Sequence, residues 1–513
     1  MIDRRRFLAG LGATVSLPLS SALADSDRKP PNIVIILVDD MGYSDLGCYG
    51  GEIDTPTIDQ LAYNGLRFTQ FYNTGKCCPT RTCLLTGHYW QTVGRGIKRG
   101  VMLPEALKAA GYKTMATGKW HLNGKPWERG FDRYFGHLSG CTHYFKGDKT
   151  WYKDGERYEI PEKGFYSTDA DTDYALRFID DHYRKDSDKP FFLYQAYNAP
   201  HYPLHAKPED IKKYRGGRFS KGWDKLREER YERQRAMNLV EDRWELPPRP
   251  DYIPAWDSLS KEEQDFEDLR MSVYAGMVDC IDQNVARIMK KLDEHGDVEN
   301  TLVMFLSDNG GCPFDRNRKG TPGKPDSWWE YGVAWANVSN TPFRLYKRSQ
   351  HEGGTATPCI VHWPAGLRAT GEMNDTPAHL IDIFSTCMDV SGCTYHQEHQ
   401  EEELPPYPGQ SLLPAFQRRS IEPHENLFFH YGRHRALISG RWKLVSAYHK
   451  EWELYDLEKD RTELHNLASK RPDKVKELDA IYRKWWKETG RGSFKLGKQK
   501  GSPPKYRDVP GEV

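Results

Sequence analysis

Asn32-Ile33-Val34-Ile35-Ile36-Leu37-Val38-Asp39-Asp40 is an aliphatic, β-branched run that stops at two carboxylates. Ile33 to Val38 are apolar without interruption, which reads as a strand buried on both faces, since a half-exposed strand would alternate. The same grammar returns at Leu302-Val303-Met304-Phe305-Leu306, followed by Ser307-Asp308-Asn309-Gly310. A third strand, Phe191-Phe192-Leu193-Tyr194-Gln195-Ala196, runs into Asn198-Ala199-Pro200-His201. Between them lie helical patterns, the cleanest being Tyr274, Met277, Val278, Ile281, Val285, Ile288, Met289 and Leu292, which recur at about 3.6 residues. Strands alternating with helices predict an α/β fold, a large and mostly parallel sheet sandwiched by helices. Ligands in such sheets bind beyond the carboxyl ends of the strands, where Asp39, Asp40, Asp308, Asn309 and His201 all fall.

The chain has 513 residues, 74 Lys plus Arg against 73 Asp plus Glu, and 38% hydrophobic residues, a composition that excludes disorder, collagen and coiled coil. A formal charge of +1 without a strongly basic segment argues against nucleic acid as a partner, because phosphate binding needs clustered Lys and Arg. The partner expected is a small or extended solute.

Three regions frame the chain. Residues 1–24 read as an export signal: Arg4-Arg5-Arg6-Phe7-Leu8 precedes an apolar, Gly/Ala-rich run ending in Ala22-Leu23-Ala24, which resembles a twin-arginine signal and implies a periplasmic or secreted bacterial protein. That run is broken by Pro18 and is shorter than the ~20 residues a bilayer requires, so no membrane span is expected there or later. Residues 25–415 are assigned to the main domain. Residues 416–513 form a small α+β domain, with strands at 427–431, 442–447 and 452–457 and a helix from 472 to 489. Residues 207–268, dense in Lys, Arg, Glu and Trp, read as an inserted helix and loop over the site or the sheet edge, mostly a solvated charged surface.

Asp39-Asp40 alone would be an ordinary turn or helix cap. A second strand ending in Asp308-Asn309 changes that reading. Three carboxylates and an amide oxygen converging at one sheet edge repel unless a hard cation lies between them, and oxygen ligands point to Ca2+ or Mg2+. The ten cysteines show no CxxC pair, so structural zinc is not expected; their pairing stays open, with Cys387 and Cys393 the neighbours closest in sequence outside the 77–83 cluster.

Cys77-Cys78-Pro79-Thr80-Arg81, with Leu84-Leu85-Thr86-Gly87 behind it, resembles the signature of the type I sulfatases, Cys-x-Pro-x-Arg followed by Leu-Thr-Gly. The resemblance spans nearly the whole mature chain and is nearest the bacterial arylsulfatase branch. Asp39 to Gly47 is similar to the family's first metal segment, and Gly118-Lys119-Trp120-His121-Leu122 to its second signature. Asn198 to His201 is similar to its histidine segment, Ser307 to Gly310 to its second metal segment, and Lys347 stands where the family keeps a sulfate-binding lysine. Departures are Thr80 where Ser is commoner and Thr82-Cys83 where small residues are usual.

The resemblance implies an alkaline-phosphatase-like sandwich and a sulfuric ester hydrolase acting on aryl sulfates or sulfated carbohydrate. It implies that a formylglycine-generating enzyme converts Cys77 to formylglycine, whose hydrate attacks sulfur, and that one ion, Ca2+ ahead of Mg2+, sits on Asp39, Asp40, Asp308 and Asn309. Lys119 and Lys347 then neutralise the sulfate oxygens, Arg81 holds the hydrate, His201 protonates the departing oxygen and His121 assists expulsion of sulfate. Alone, such lysines and histidines are ordinary surface residues; His205 reads as a loop histidine, and His379 and Asp382 as packing residues. The alternatives are a phosphate diester or phosphonate monoester hydrolase of the same superfamily, and an inactive exported carbohydrate-binding homologue.

Overall fold

The computed structural model describes residues 29–393, 404–448 and 450–491; the expected export signal at 1–24 lies outside them. Asn32–Val38 forms strand β1, buried at every position. Its side chains alternate between two cores, which explains the unbroken apolar run. Val34, Ile36 and Val38 join Phe178 and Ile179 of the Ser167–Lys185 helix and Val278, Ile281 and Ile288 of the Lys261–Glu294 helix. Ile33, Ile35 and Leu37 join Leu84 and Leu85 of the Cys77–Thr86 helix on the opposite face. Each such side chain contributes about 1.5–3 kcal/mol by burial. A polar residue on either face of this strand would therefore be costly.

The further strands are β2 (Leu66–Tyr72), β3 (Lys113–Lys119), β4 (Arg133–His137), β5 (Trp151–Lys153), β6 (Glu156–Arg157), β7 (Phe191–Ala196), β8 (Thr301–Ser307), β9 (Ala356–His362), β10 (Glu372–Asn374) and β11 (Ala378–His379). The eleven-stranded sheet runs β10-β2-β9-β8-β1-β7-β3-β4-β5-β6, with β11 also on β2. The stretch from β8 to β4 is parallel, while β9, β5 and β6 pair antiparallel with their neighbours. The register brings four strand ends level: Val38 lies opposite Ser307, Leu37 opposite Ala196, and Ala196 opposite Gly118. Whatever follows each strand is thereby delivered to one place.

A second, antiparallel sheet orders β12 (Asn426–Tyr431), β13 (His434–Ser439), β14 (Trp442–Ser446) and β15 (Glu453–Asp456). The Pro472–Trp486 helix covers it, with Trp485 stacked on Phe428 at 4.6 Å between ring centres. A buried ion cluster ties this sheet to the large one: Lys443 of β14 reaches Glu352 at 2.7 Å and Glu463 at 2.9 Å, and Arg461 reaches Glu352 at 2.9 Å. Glu352 follows the Lys347 loop, so the small sheet helps set that lysine's position.

Most of the 207–268 segment is exposed or half-exposed, as expected, but one stripe of it is buried. Its Trp223–Ala236 helix buries Trp223, Leu226, Arg227, Arg230 and Gln234 on one stripe. Arg230 is wholly buried and binds Asp45 at 2.9 Å and Glu52 at 2.8 Å, in the loop after β1. The segment thus braces the strand that carries Asp39 and Asp40. Arg230 is buried as the counterion of Asp45 and Glu52, which composition alone does not reveal, while Lys225, Glu228 and Glu232 of the same helix stay exposed.

All ten cysteines are free thiols, Cys387 and Cys393 included. His379 and Asp382 serve structure, as expected: Asp382 accepts from the His379 amide at 2.7 Å and the Gln410 amide at 2.8 Å.

Candidate active site

The level strand ends assemble the site. Asp39 and Asp40 leave β1, Asp308 and Asn309 leave β8, Lys119 closes β3, and the segment after β7 reaches His201. Hydrogen bonds between these loops fix the layer. The Asp39 amide donates to the Ala199 carbonyl at 3.0 Å and the Asp308 amide to the Val38 carbonyl at 3.0 Å. Asp40 takes a left-handed φ of 69°, a conformation that Asp tolerates better than most residues.

Cys77 begins a ten-residue helix buried at every position, and Arg81, one turn on, lies on the same side. The Arg81 guanidinium is completely buried. Its Nη2 donates to Asp39 Oδ2 at 3.0 Å and Asp308 Oδ2 at 3.1 Å, and its Nη1 to the Lys119 carbonyl at 2.9 Å. Thr80 secures the same helix, donating from Oγ1 to the Asp308 carbonyl at 2.7 Å. Three cysteines crowd this helix, but their environments diverge. Burial pushes Cys83 up to about 12 and raises Cys78. Burial also works to raise Cys77, yet Lys76, Lys119 and Lys347 outweigh it and hold that thiol below its ordinary value.

The carboxylates and cations interleave. Lys119 Nζ rests on Asp39 and Lys347 Nζ on Asp40, both lysines being almost fully buried. Burial works to raise Asp39, but Lys119, with His201, Arg81 and Lys347, holds it well below the usual carboxylate range. Burial raises Asp308 well above that range, and the adjacent Asp39 adds to the rise despite Arg81. Asn309 Nδ2 donates to Asp40 Oδ1 at 2.7 Å. Asp39 Oδ1, Asp40 Oδ2 and Asn309 Oδ1 are buried oxygens that accept no hydrogen bond among the described residues. Orphaned oxygens from three of the four expected ligands, with the fourth, the Asp308 carboxylate, made unfavourable by its neighbour, fit a hard divalent cation. Two ligand-competent clusters recur here, Asp39, Cys77 and Asp308, and Asp39, Asp40 and His201.

Above this layer lies a cavity of about 210 Å³ lined by Cys77, His121, His201 and Lys347 together with Lys76, Tyr202, Phe314, Arg316 and Arg348. His201 Nδ1 lies 2.9 Å from the Tyr202 carbonyl, which assigns the Nδ1 proton, and its Nε2 approaches Asp40 Oδ2 at 3.5 Å. Burial pulls His201 down to about 3, against the opposing pull of Asp40. Burial, then Lys119 and Arg81, pulls His121 down to about 2, so both imidazoles are neutral at ordinary pH.

The structure therefore brings Cys77, His121, His201 and Lys347 to one cavity and sets Arg81, Lys119, Asp39, Asp40, Asp308 and Asn309 around its floor. His205 does not line it; its ring is buried, with Nε2 2.9 Å from the Ser327 carbonyl. Sequence reading missed Lys76, Tyr202, Phe314, Arg316 and Arg348. The available signal was adjacency: Lys76 precedes Cys77, Tyr202 follows His201 and Arg348 follows Lys347.

A sulfatase family profile matches residues 31–393, most of the chain and every residue of this site. The chain belongs to the sulfatase family. A second profile, the N-sulphoglucosamine sulphohydrolase C-terminal region, matches residues 343–486. Among its relatives this sulfatase is 31% identical to an arylsulfatase of Klebsiella aerogenes, over 78% of this chain and 95% of that one. It is also 31% identical to an uncharacterized sulfatase of Schizosaccharomyces pombe, over 91% and 95%. A crystal structure of Ps i-CgsB in complex with k-i-k-neocarrahexaose superposes with a TM-score of 0.67 at 26% identity, covering 92% of this chain and 96% of that one. No helix among the described residues is long and apolar enough to cross a membrane.

Proposed function

We propose that this sulfatase cleaves O-sulfate esters of aryl or carbohydrate alcohols, with Cys77 matured to formylglycine and one Ca2+ held by Asp39, Asp40, Asp308 and Asn309. The observation that carries the reading is the meeting of Cys77, Lys347, His121 and His201 in one small cavity, directly over three buried carboxylates and Arg81. Once in place, the formylglycine hydrate supplies the nucleophile for sulfur and the cation withdraws charge from a sulfate oxygen.

The chain's own groups do the rest. Lys119 and Lys347 present fixed positive charge to an ester that stays anionic throughout, and burial removes the water that would screen them. Arg81 locks Asp39 and Asp308 in position and places positive charge beneath residue 77. An arriving sulfate ester raises the proton affinity of His201, whose Nδ1 is already committed to the Tyr202 carbonyl, so the second proton sits on Nε2 and passes to the leaving oxygen. His121, neutral and with an unpartnered Nδ1, accepts a proton in the half of turnover that releases sulfate.

Sulfated oligosaccharide is the substrate class this reading favours, supported by the neocarrahexaose held by Ps i-CgsB. The intact set of ten site residues speaks against an inactive carbohydrate-binding homologue. Arg4-Arg5-Arg6 and the apolar run to Ala24 support twin-arginine export to the periplasm or beyond, after a formylglycine-generating enzyme has acted on the Cys77 segment. Peptide mass spectrometry of enzyme made alongside that modifying activity tests the reading. It is expected to find formylglycine at Cys77 and thiols at Cys78 and Cys83; an active preparation whose Cys77 is wholly thiol overturns it.

A further inference from the structure

We infer that Arg348 is a specificity residue that binds a second oxyanion, a sulfate or a carboxylate, carried by the same substrate as the ester under attack. This rests on the sulfatase reading and goes beyond it, because the groups assigned to the scissile sulfate do not include Arg348.

Charge accounting around the cavity leaves two cations unmatched, of which Arg348 alone offers a planar fork of donors. Lys119 and Lys347 are matched by Asp39 and Asp40, and Arg81 by Asp39 and Asp308. Arg316, which also lines the cavity, is neutralised by Glu330 at 2.7 Å. Arg348 and the neighbouring Lys76 line the same cavity, and neither has an ion-pair partner among the described residues. The Arg348 Nε is buried and donates to nothing among the described residues, although an unmade hydrogen bond from a charged group is expensive.

The backbone holds the side chain in place at a cost. Arg348 has a left-handed φ of 78°, a strained conformation for a residue bearing Cβ. Its amide donates to the Gly75 carbonyl at 2.6 Å and its carbonyl accepts from Gln350 Nε2 at 3.0 Å, which fix that conformation. The guanidinium lies 4.8 Å from the Phe314 ring, which also limits where it can swing. A planar fork of donors, positioned, half-exposed and without a counterion, one residue beyond a sulfate-binding lysine, matches a carboxylate or sulfate on an adjacent position of the substrate. A lysine could not offer the same paired donors.

The test measures binding rather than turnover. In a Cys77→Ala background, which cannot hydrolyse the probes, calorimetry gives Kd for glucose 6-sulfate, for glucosamine 2-N,6-O-disulfate and for a monosulfated disaccharide bearing one uronate. At least one two-anion probe is expected to bind about 10- to 100-fold more tightly than glucose 6-sulfate, the scale of a charge-assisted bidentate contact. Adding Arg348→Gln is expected to reduce that preference to about twofold or less. Preference for the disulfate identifies the second group as sulfate, and preference for the uronate identifies it as carboxylate. The inference falls if no two-anion probe is preferred, or if Arg348→Gln weakens glucose 6-sulfate as much as the others. Should the double variant fail to fold, Arg348→Lys in the same background takes its place, since it keeps the charge but loses the paired donors and is expected to lose most of the preference; a full preference in that variant overturns the inference. Failure of the wild-type enzyme to release sulfate would instead strike the functional reading and leave these affinities standing.

Discussion

His201 and His121 face one cavity but are proposed to act on different bonds, and the two roles separate experimentally. A sugar alkoxide is a far poorer leaving group than nitrophenolate and needs proton donation, worth roughly 10²–10⁴-fold from a positioned acid. His201→Ala is therefore expected to lower kcat/KM on a sugar sulfate by that range and on 4-nitrophenyl sulfate far less. His121→Ala is expected to lower kcat on both esters alike, since its proton moves after the alcohol has gone. Equal losses on both esters for His201→Ala would remove it as the acid. At this scale the metal is tested too: EGTA is expected to abolish activity and lower Tm, and added Ca2+ to restore both, because a ligand bound only by the folded state stabilises it. Unchanged Tm and activity would contradict the ligand set. Asp39, Asp40, Asp308 and Asn309 were legible as a cluster from two strand endings, whereas Cys77, Arg81, Lys119, His121, His201 and Lys347 were singled out only through the resemblance of their motifs to a family. Arg348 and Lys76 were not, because an arginine or lysine beside a motif looks like any surface charge until its lack of a counterion is seen.

Among the elements, β1 was legible for a physical reason: a strand with helices on both faces must be apolar throughout, and Ile33 to Val38 comply. β9 hid for an equally physical one. Pro358 argues against an interior strand, yet β9 lies between β2 and β8, where the pairing with β2 shifts register between Phe68 and Phe71, and that irregularity accommodates the missing donor. β13 lacks a distinctive pattern, since His434 and Arg435 open it, although it is buried between β12 and β14. The Trp223–Ala236 helix misled because buried and solvated arginines are identical in composition. Its structural weight is measurable. Arg230→Ala leaves buried Asp45 without its counterion, Glu52 keeping Arg233, an expected loss of about 3–5 kcal/mol in urea unfolding. A loss below about 1 kcal/mol would return this helix to the surface role first read from it.

For the whole molecule, acid sensitivity follows from carboxylates that join the two sheets. Burial alone would raise Glu352, but Lys443 and Arg461 hold it below its ordinary value. Burial likewise opposes Glu453, yet its hydrogen bond and charge interaction with His351 bring it down to about 2. Folded values below unfolded ones mean that this stability is complete above the ordinary carboxylate range of about 4.3 and is lost as pH falls towards the folded values. The urea midpoint is therefore expected to decline between about pH 5 and about pH 2, and Glu453→Gln to flatten that limb; an unaltered limb in the variant would contradict the assignment. Overall architecture was readable from three buried strands, two of them ending in carboxylates, whereas the joining of the two sheets through Glu352, Lys443 and Arg461 depends on contacts about a hundred residues apart in sequence. The measurement that tests the central claim most directly is the initial rate of formylglycine-bearing wild type and of Cys77→Ala on 4-nitrophenyl sulfate, bis(4-nitrophenyl) phosphate and 4-nitrophenyl phenylphosphonate. The account predicts that the sulfate ester is turned over fastest by wild type and at background by Cys77→Ala; preference for either phosphorus ester, or a Cys77→Ala rate matching wild type, would contradict it.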